Sequence, residues 1–211
     1  MSIRTILFDL DGTLIDTNEL IIASFTHTFN HYQLNYTRDE IIGFNGPPLT
    51  DTFHQIDPAR AEMMIKTYRK HNLAEHDNYV TAFPHVIETM EVLRSKQIRL
   101  GVVTTKMNAA VTMGLTLTGL DAYFDTVITL DDVTHPKPHP EPVIKAMEEL
   151  NADASTTLMV GDNYHDIESG KNAGVQTAGV AWSLKGKEHL LAYDPTYMLD
   201  DIRDLLDILE V

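Results

Sequence analysis

The apolar positions of this chain change their spacing twice. A strand is predicted over 4–8, where the apolar run Ile6-Leu7-Phe8 leads into two carboxylates, and the apolar strand over 98–104 shows almost no alternation, as expected of one covered on both faces. From 18 onward the spacing becomes helical, with Leu20, Ile21, Ala23, Phe25, Phe29 and Tyr32 recurring at intervals that stack on one face. Thr17 or Asn18 is the expected cap of that helix. Thr37 followed by Glu40 reads as a capping box that opens a second helix. Helices are predicted over 50–55 and 58–72, the second carrying Ala61, Met64, Ile65 and Tyr68 at helical spacing. No stretch between 15 and 80 reads as a strand.

Beyond Pro84, apolar runs and helical patterns alternate. Strands are predicted over 98–104, 126–130, 157–160, 175–180 and 196–199. Helices are predicted over 84–95, 108–117, 140–150, 164–173, 187–192 and 202–209. This alternation predicts an α/β fold, a doubly wound and mostly parallel sheet. The opening strand belongs to that sheet. The expected organisation is therefore an α/β core over 1–14 and 83–211, with a helical cap inserted over 15–82.

A chain of 211 residues is long enough for one core with an inserted smaller unit. No apolar run approaches the roughly 20 residues of a membrane helix, so no membrane contact is expected. Asp9 and Asp11 interrupt the N-terminal apolar segment, and no small-residue cleavage site follows, which argues against a signal peptide. The absence of cysteine excludes disulfides and thiolate metal sites, and is compatible with a cytoplasmic protein. A formal net charge of −15 argues against a nucleic-acid partner. It leaves room for a small anionic substrate, because one metal ion and a few cations reverse a local potential.

The candidate chemistry sits where strands end. Asp9 and Asp11 follow the first strand with Gly12 and Thr13 behind them, and two carboxylates so close call for a divalent cation. One of them is suited to nucleophilic attack and the other to proton transfer. Thr104 ends the strand over 98–104, where its hydroxyl is placed to donate to a phosphoryl oxygen. Lys137 lies between Pro136 and Pro138 in a stiff loop, a setting for a preorganised ammonium. Gly161-Asp162 ends another strand, with Asp166 one helical turn on.

These residues, in this order on one sheet, resemble the four motifs of the haloacid dehalogenase-like superfamily, over essentially the whole chain. The resemblance implies that Asp9 attacks phosphorus and carries an aspartyl-phosphate. Asp11 would protonate the leaving oxygen and then activate water. Mg²⁺ would be held by Asp9, Asp162 and the backbone carbonyl of Asp11, and tuned by Asp166. Thr104 would bind a phosphoryl oxygen and Lys137 would offset its charge. A carboxylate at position 11 fits a phosphatase or phosphomutase rather than a dehalogenase or P-type ATPase.

Stretches at 2–4, 8–20, 101–106, 127–134, 159–166, 171–174 and 179–182 are similar, more narrowly, to inorganic pyrophosphatases of this superfamily in low-GC Gram-positive bacteria. That likeness implies Mg²⁺-dependent hydrolysis of inorganic diphosphate. It also implies a functional link to HPr kinase/phosphorylase, which releases diphosphate when it dephosphorylates seryl-phosphorylated HPr. The residue chemistry itself leaves other readings open: a phosphatase for a small phosphomonoester such as phosphoglycolate, a sugar phosphomutase, or a non-catalytic regulatory protein. Substrate choice is expected from Gly46 and Pro47 in the cap, with Asn45, Thr50 and His54 nearby, and from Thr105 and Lys106 facing them. His27, His31, His71 and His76 are expected on solvated helix faces.

Overall fold

The computed structural model describes residues 3–209, so positions 1–2 and 210–211 of the expected core limits, and Ser2 of the similar stretches, lie outside it. The chain forms β1 (Thr5–Phe8) and β2 (Ile15–Asp16), then four helices, α1 (Asn18–His31), α2 (Arg38–Gly43), α3 (Leu49–Ile56) and α4 (Ala61–Tyr79). It returns through β3 (Thr81–Ala82) to α5 (Val86–Ser95), β4 (Arg99–Val103), α6 (Asn108–Thr118) and β5 (Thr126–Ile128). Then come α7 (Glu141–Leu150), β6 (Thr157–Gly161), α8 (Tyr164–Asn172) and β7 (Gln176–Val180). The last elements are α9 (Lys187–Leu191), β8 (Tyr197–Leu199) and α10 (Asp204–Ile208).

Six strands make one sheet in the order β5-β4-β1-β6-β7-β8, and every neighbouring pair is parallel. All four residues of β1 are buried, Thr5 with the apolar Ile6, Leu7 and Phe8, as expected of a central strand covered on both faces. Side-chain alternation still decides which layer each residue joins. Ile6 and Phe8 pack with Met90 and Leu93 of α5 and Val111 of α6. Leu7 packs on the opposite face with Val143, Ala146 and Met147 of α7.

The helices between β2 and β3 carry a third apolar cluster of their own, built on Phe25, Phe29, Phe53, Met64 and Tyr68. Its rings make close contacts, with Phe25 and Tyr68 centroids 4.8 Å apart in an edge-on arrangement. The chain crosses between sheet and cap helices at two points, and these points pair with each other. Ile15 faces Ala82 and Asp16 faces Thr81 in an antiparallel two-stranded sheet. That strand pair corrects the expectation of a strandless 15–80. A two-residue strand spans only one side-chain alternation and leaves no periodic trace.

Other differences are local. α4 runs seven residues past the predicted end at 72, reaching Tyr79, because no Gly or Pro interrupts the pattern there. Thr37 and Glu40 do form the capping box. Thr17 sits at the start of α1, but its hydroxyl makes no capping bond and is buried without a partner. Asp16 Oδ1 accepts from the Asn18 N–H at 3.1 Å instead.

Candidate active site

Parallel register places the motif residues together. Phe8 of β1 pairs with Val102 of β4 and with Val160 of β6, so three adjacent strands end at one level. The Asp9 N–H donates to the Val160 carbonyl at 2.8 Å, and the Thr104 N–H to the Ile128 carbonyl at 3.0 Å. Ligands of open parallel sheets bind at this carboxyl edge. Gly12 has φ +79°, and a Cβ there would stand 2.4 Å from Asp162 Oδ2. Only glycine lets the turn after β1 pass so close to the Asp162 carboxylate.

Lys137 is 3% exposed and spends all three ammonium protons. Its Nζ donates to Asp9 Oδ1 at 2.6 Å, to Asp166 Oδ1 at 2.6 Å and to the Val103 carbonyl at 2.7 Å. Burial alone would push this lysine down, but the carboxylates of Asp166 and Asp9 outweigh it and hold it above its ordinary range. Asp166 has a second task. Its Oδ2 accepts the Asn163 N–H at 3.0 Å, closing a capping box at the start of α8.

Carboxylate oxygens of Asp9, Asp162 and Asp166 lie within 4.8 Å of one another, all on buried residues. One lysine faces these three acids, so negative charge is in excess. Burial pushes the Asp9 carboxyl up to about 7, against the opposing pull of Lys137, and the Asp166 charge adds to the rise. Burial, then the charges of Asp9 and Asp166, raise Asp162 well above the carboxylate range. Three buried carboxylates crowded at this spacing, with one lysine to offset them, fit a hard divalent metal ion.

Asp11 stands apart from this trio. Its Oδ1 accepts from Lys106 Nζ at 2.8 Å, with both side chains less than one-fifth exposed. Its carboxylate is therefore outside the candidate cation site, where the expectation had placed only its main-chain carbonyl. Lys106 was expected to face the cap and take part in substrate choice, and its ammonium lies on Asp11. Thr104 is buried, and its hydroxyl accepts the Lys106 N–H at 3.2 Å.

One cap loop reaches the core at the site itself. Thr105 Oγ1 donates to the Gly46 carbonyl at 3.4 Å. Asn163 Nδ2 donates to the Asn45 carbonyl at 3.2 Å, and Lys185 Nζ donates to the same oxygen at 2.7 Å. Gly46 has φ +118°, and a Cβ there would meet Asn163 Nδ2 at 2.4 Å. Pro47 makes no bond of this kind but lines the cavity between cap and core, a space of about 330 Å³ that Asp9, Asp11 and Lys137 also line.

Lys185 and Asn163 were missed in the sequence. Lys185 stands in Trp182-Ser183-Leu184-Lys185, well past the end of β7 at Val180, where the strand-end rule does not reach. Burial lowers its ammonium, more than the charges of Asp162 and Asp166 raise it. Ser183 Oγ donates to the Asp162 carbonyl at 2.7 Å and steadies the backbone of that acid. His76 corrects another expectation: it is 1% exposed, at the cavity wall, because α4 packs its last turns against α6. His71 is half-buried and stacks on His27, with ring centroids 4.4 Å apart.

Residues 6–180 match the family of haloacid dehalogenase-like hydrolases. The chain is 61% identical to the pyrophosphatase PpaX of Oceanobacillus iheyensis over 208 residues, which is 99% of this chain and 97% of that one. It is 58% identical to the pyrophosphatase PpaX of Anoxybacillus flavithermus, covering 100% of this chain and 99% of the relative. Among solved structures, a haloacid dehalogenase-like family hydrolase from Streptococcus pneumoniae superposes with a TM-score of 0.86 at 26% identity, covering 97% of each chain.

Proposed function

The chain belongs to the haloacid dehalogenase-like hydrolase family, and we propose that it hydrolyses inorganic diphosphate to two orthophosphates, with Mg²⁺ and through an aspartyl-phosphate. The observation that carries the chemistry is Lys137, whose buried ammonium bridges Asp9 and Asp166 at 2.6 Å each. The pyrophosphatase name of its relatives supports the substrate.

The carboxylates of Asp9 and Asp162 and the main-chain carbonyl of Asp11 would hold the ion, with Asp166 positioned by Lys137 and Asn163. When bound, Mg²⁺ offsets the charge of the phosphoryl oxygens and lets a carboxylate approach a polyanion. Asp9 attacks one phosphorus in line, forming the acyl-phosphate bond as the bridging P–O bond breaks. Lys137 holds the Asp9 oxygen it binds, leaving the other oxygen free to attack. Asp11 gives its proton to the departing orthophosphate. Lys106 occupies only Oδ1 of Asp11, and an arriving phosphoryl group would draw that ammonium toward itself. Asp11 then takes a proton from water, which attacks the acyl-phosphate and regenerates Asp9. Thr104 donates to a phosphoryl oxygen throughout.

The cavity also has apolar walls from Leu20, Ile21, Phe25, Leu73 and Met113. They favour a second reading, a small phosphomonoester such as phosphoglycolate, whose organic part would meet those walls. Orthophosphate release with Mg²⁺ from diphosphate, phosphoglycolate, sugar phosphates and an aryl phosphate separates the two. The expected result is the highest kcat/KM for diphosphate, and a higher value for phosphoglycolate would overturn the substrate. The link to HPr kinase/phosphorylase is part of the same proposal and places the enzyme in the cytoplasm. Among the described residues no helix is long and apolar enough to cross a membrane. A strain lacking the enzyme should accumulate diphosphate when seryl-phosphorylated HPr is dephosphorylated, and unchanged diphosphate would break the link.

A further inference from the structure

We propose that His135, His139 and Glu141 form a second metal site, for a transition-metal ion such as Zn²⁺, on the outer face of the loop that carries Lys137. A ring nitrogen from each histidine and a carboxylate oxygen of Glu141 lie within 4.8 Å of one another. His135 Nδ1 is 2.8 Å from Glu141 Oε2, and His139 Nδ1 is 3.9 Å from the same oxygen. Ligands around an ion at about 2.0–2.2 Å stand roughly 3–4 Å apart, so small ring rotations complete the geometry.

The donors are held in advance. Pro136, Pro138 and Pro140 alternate with the other loop residues and restrict its backbone. The Glu141 carboxylate accepts the N–H groups of Thr134 at 2.7 Å and His135 at 3.0 Å. The His139 carbonyl accepts from Ser169 Oγ at 2.8 Å, and the Pro138 carbonyl from Asn172 Nδ2 at 3.1 Å, which ties the loop to α8. His139 Nδ1 accepts the Glu141 N–H at 3.2 Å, so this nitrogen is unprotonated, and an ion would take its lone pair in place of that long bond. His135 Nδ1 donates to Glu141 Oε2 at 2.8 Å, and an ion would replace that proton. The backbone needs little further ordering, and an ion would exchange these two hydrogen bonds for coordination.

The donor set separates this site from the acidic one. Asp9, Asp162 and Asp166 offer buried oxygens alone, which suit Mg²⁺. Two imidazoles and one carboxylate suit Zn²⁺, Ni²⁺ or Cu²⁺. Both histidines are exposed while Lys137 between them points inward, so the hydrolytic residues use neither ring. An ion here would join both ends of the segment that positions Lys137.

The test uses the untagged full chain with saturating Mg²⁺, one equivalent of Cu²⁺ and electron paramagnetic resonance. Wild type should show nitrogen superhyperfine coupling, and Asp162→Asn should keep it. Zn²⁺ affinity measured by calorimetry should fall at least about tenfold in His139→Asn and again in His135→Asn, as expected when one of three protein ligands is lost. His139→Asn leaves the hydrogen bond between His135 and Glu141 intact, and the Asn side-chain oxygen can accept the Glu141 N–H in place of Nδ1, so its metal-free thermal midpoint should stay within about 1 °C of wild type. Absence of nitrogen coupling in wild type would overturn the proposal. So would its persistence in the double histidine variant, or its loss in Asp162→Asn.

Discussion

Lys185 Nζ reaches the main-chain carbonyl of Asn45 at 2.7 Å, joining positions 140 residues apart. The lysine hangs from the loop after β7, and the carbonyl belongs to the cap turn ahead of Gly46. Leu184, the preceding residue, packs against the cap's apolar cluster, so the same loop meets the cap with one apolar and one charged group. A charged donor to a buried carbonyl contributes about 1.5–3 kcal/mol where solvent is excluded, and less at this half-buried site.

Lys185→Met keeps the length of the side chain and removes the donor. The contact between the loop after β7 and the cap turn then loses its charged tie, while Asp9, Asp11 and Lys137 stay in place. The expected result is a rise in KM of about threefold to tenfold, from roughly 1 kcal/mol of lost contact, with kcat within about twofold. Steady-state kinetics on diphosphate read both. A fall in kcat at constant KM would place Lys185 in the chemical step instead.

Asp9→Asn separates activity from stability. An amide cannot form the acyl-phosphate, so turnover should fall by at least about 10³-fold. The same change removes one of three crowded buried acids, whose carboxyl burial holds at about 7. Metal-free Asp9→Asn should therefore melt at a higher temperature than wild type at pH 8. Lys137 keeps Asp166 and the Val103 carbonyl as partners in the variant. Retained turnover would refute the nucleophile assignment, and a lower midpoint would refute the charge-crowding argument.

Where strands end in chemistry, the site was legible in the sequence. Asp9, Thr104 and Asp162 each close an apolar run, and parallel register turns sequence position into spatial neighbourhood. The sheet was legible for the same reason, since strands covered on both faces show as unbroken apolar runs. What stayed hidden depends on distant packing. Lys106 reads as a free cation until the fold sets it on Asp11, 95 positions away. His76 reads as one polar residue on an amphipathic helix, and only the approach of α6 buries it. Lys185 lies in a segment with no strong pattern, and its partner is a backbone carbonyl, which no side-chain motif can signal.

The pH dependence of metal binding follows from Asp9 and Asp162. The folded-state pKa of Asp9 is raised, from 3.8 to about 7, so the metal-free folded chain holds a proton there that the unfolded chain has lost. Metal-free stability from this group therefore falls as pH rises through that window. A divalent ion needs the ionised carboxylates and must displace the protons. The rise in thermal midpoint on adding Mg²⁺ should be small at pH 5 and grow toward pH 8, with proton release in calorimetry at pH 6. A midpoint rise that does not change with pH would show that Asp9 and Asp162 are already ionised without metal.

Gly12→Ala tests the turn that follows the two acids of the first motif. At φ +79° an alanine pays about 1–2 kcal/mol for its backbone alone. Its Cβ would also stand 2.4 Å from Asp162 Oδ2, and the short Asp162 side chain can escape only by turning its carboxylate. The strain should lower the urea midpoint, and the displaced carboxylate should weaken Mg²⁺ binding by about tenfold or more, as when a ligand's supports are removed. The two readouts distinguish causes. A variant that loses stability but binds Mg²⁺ as wild type would show that Asp162 relaxes without leaving the site. Gly119→Ala provides the comparison, because φ there is +69° and no atom lies within 4 Å of the added Cβ. It should share the loss of stability and leave Mg²⁺ affinity unchanged.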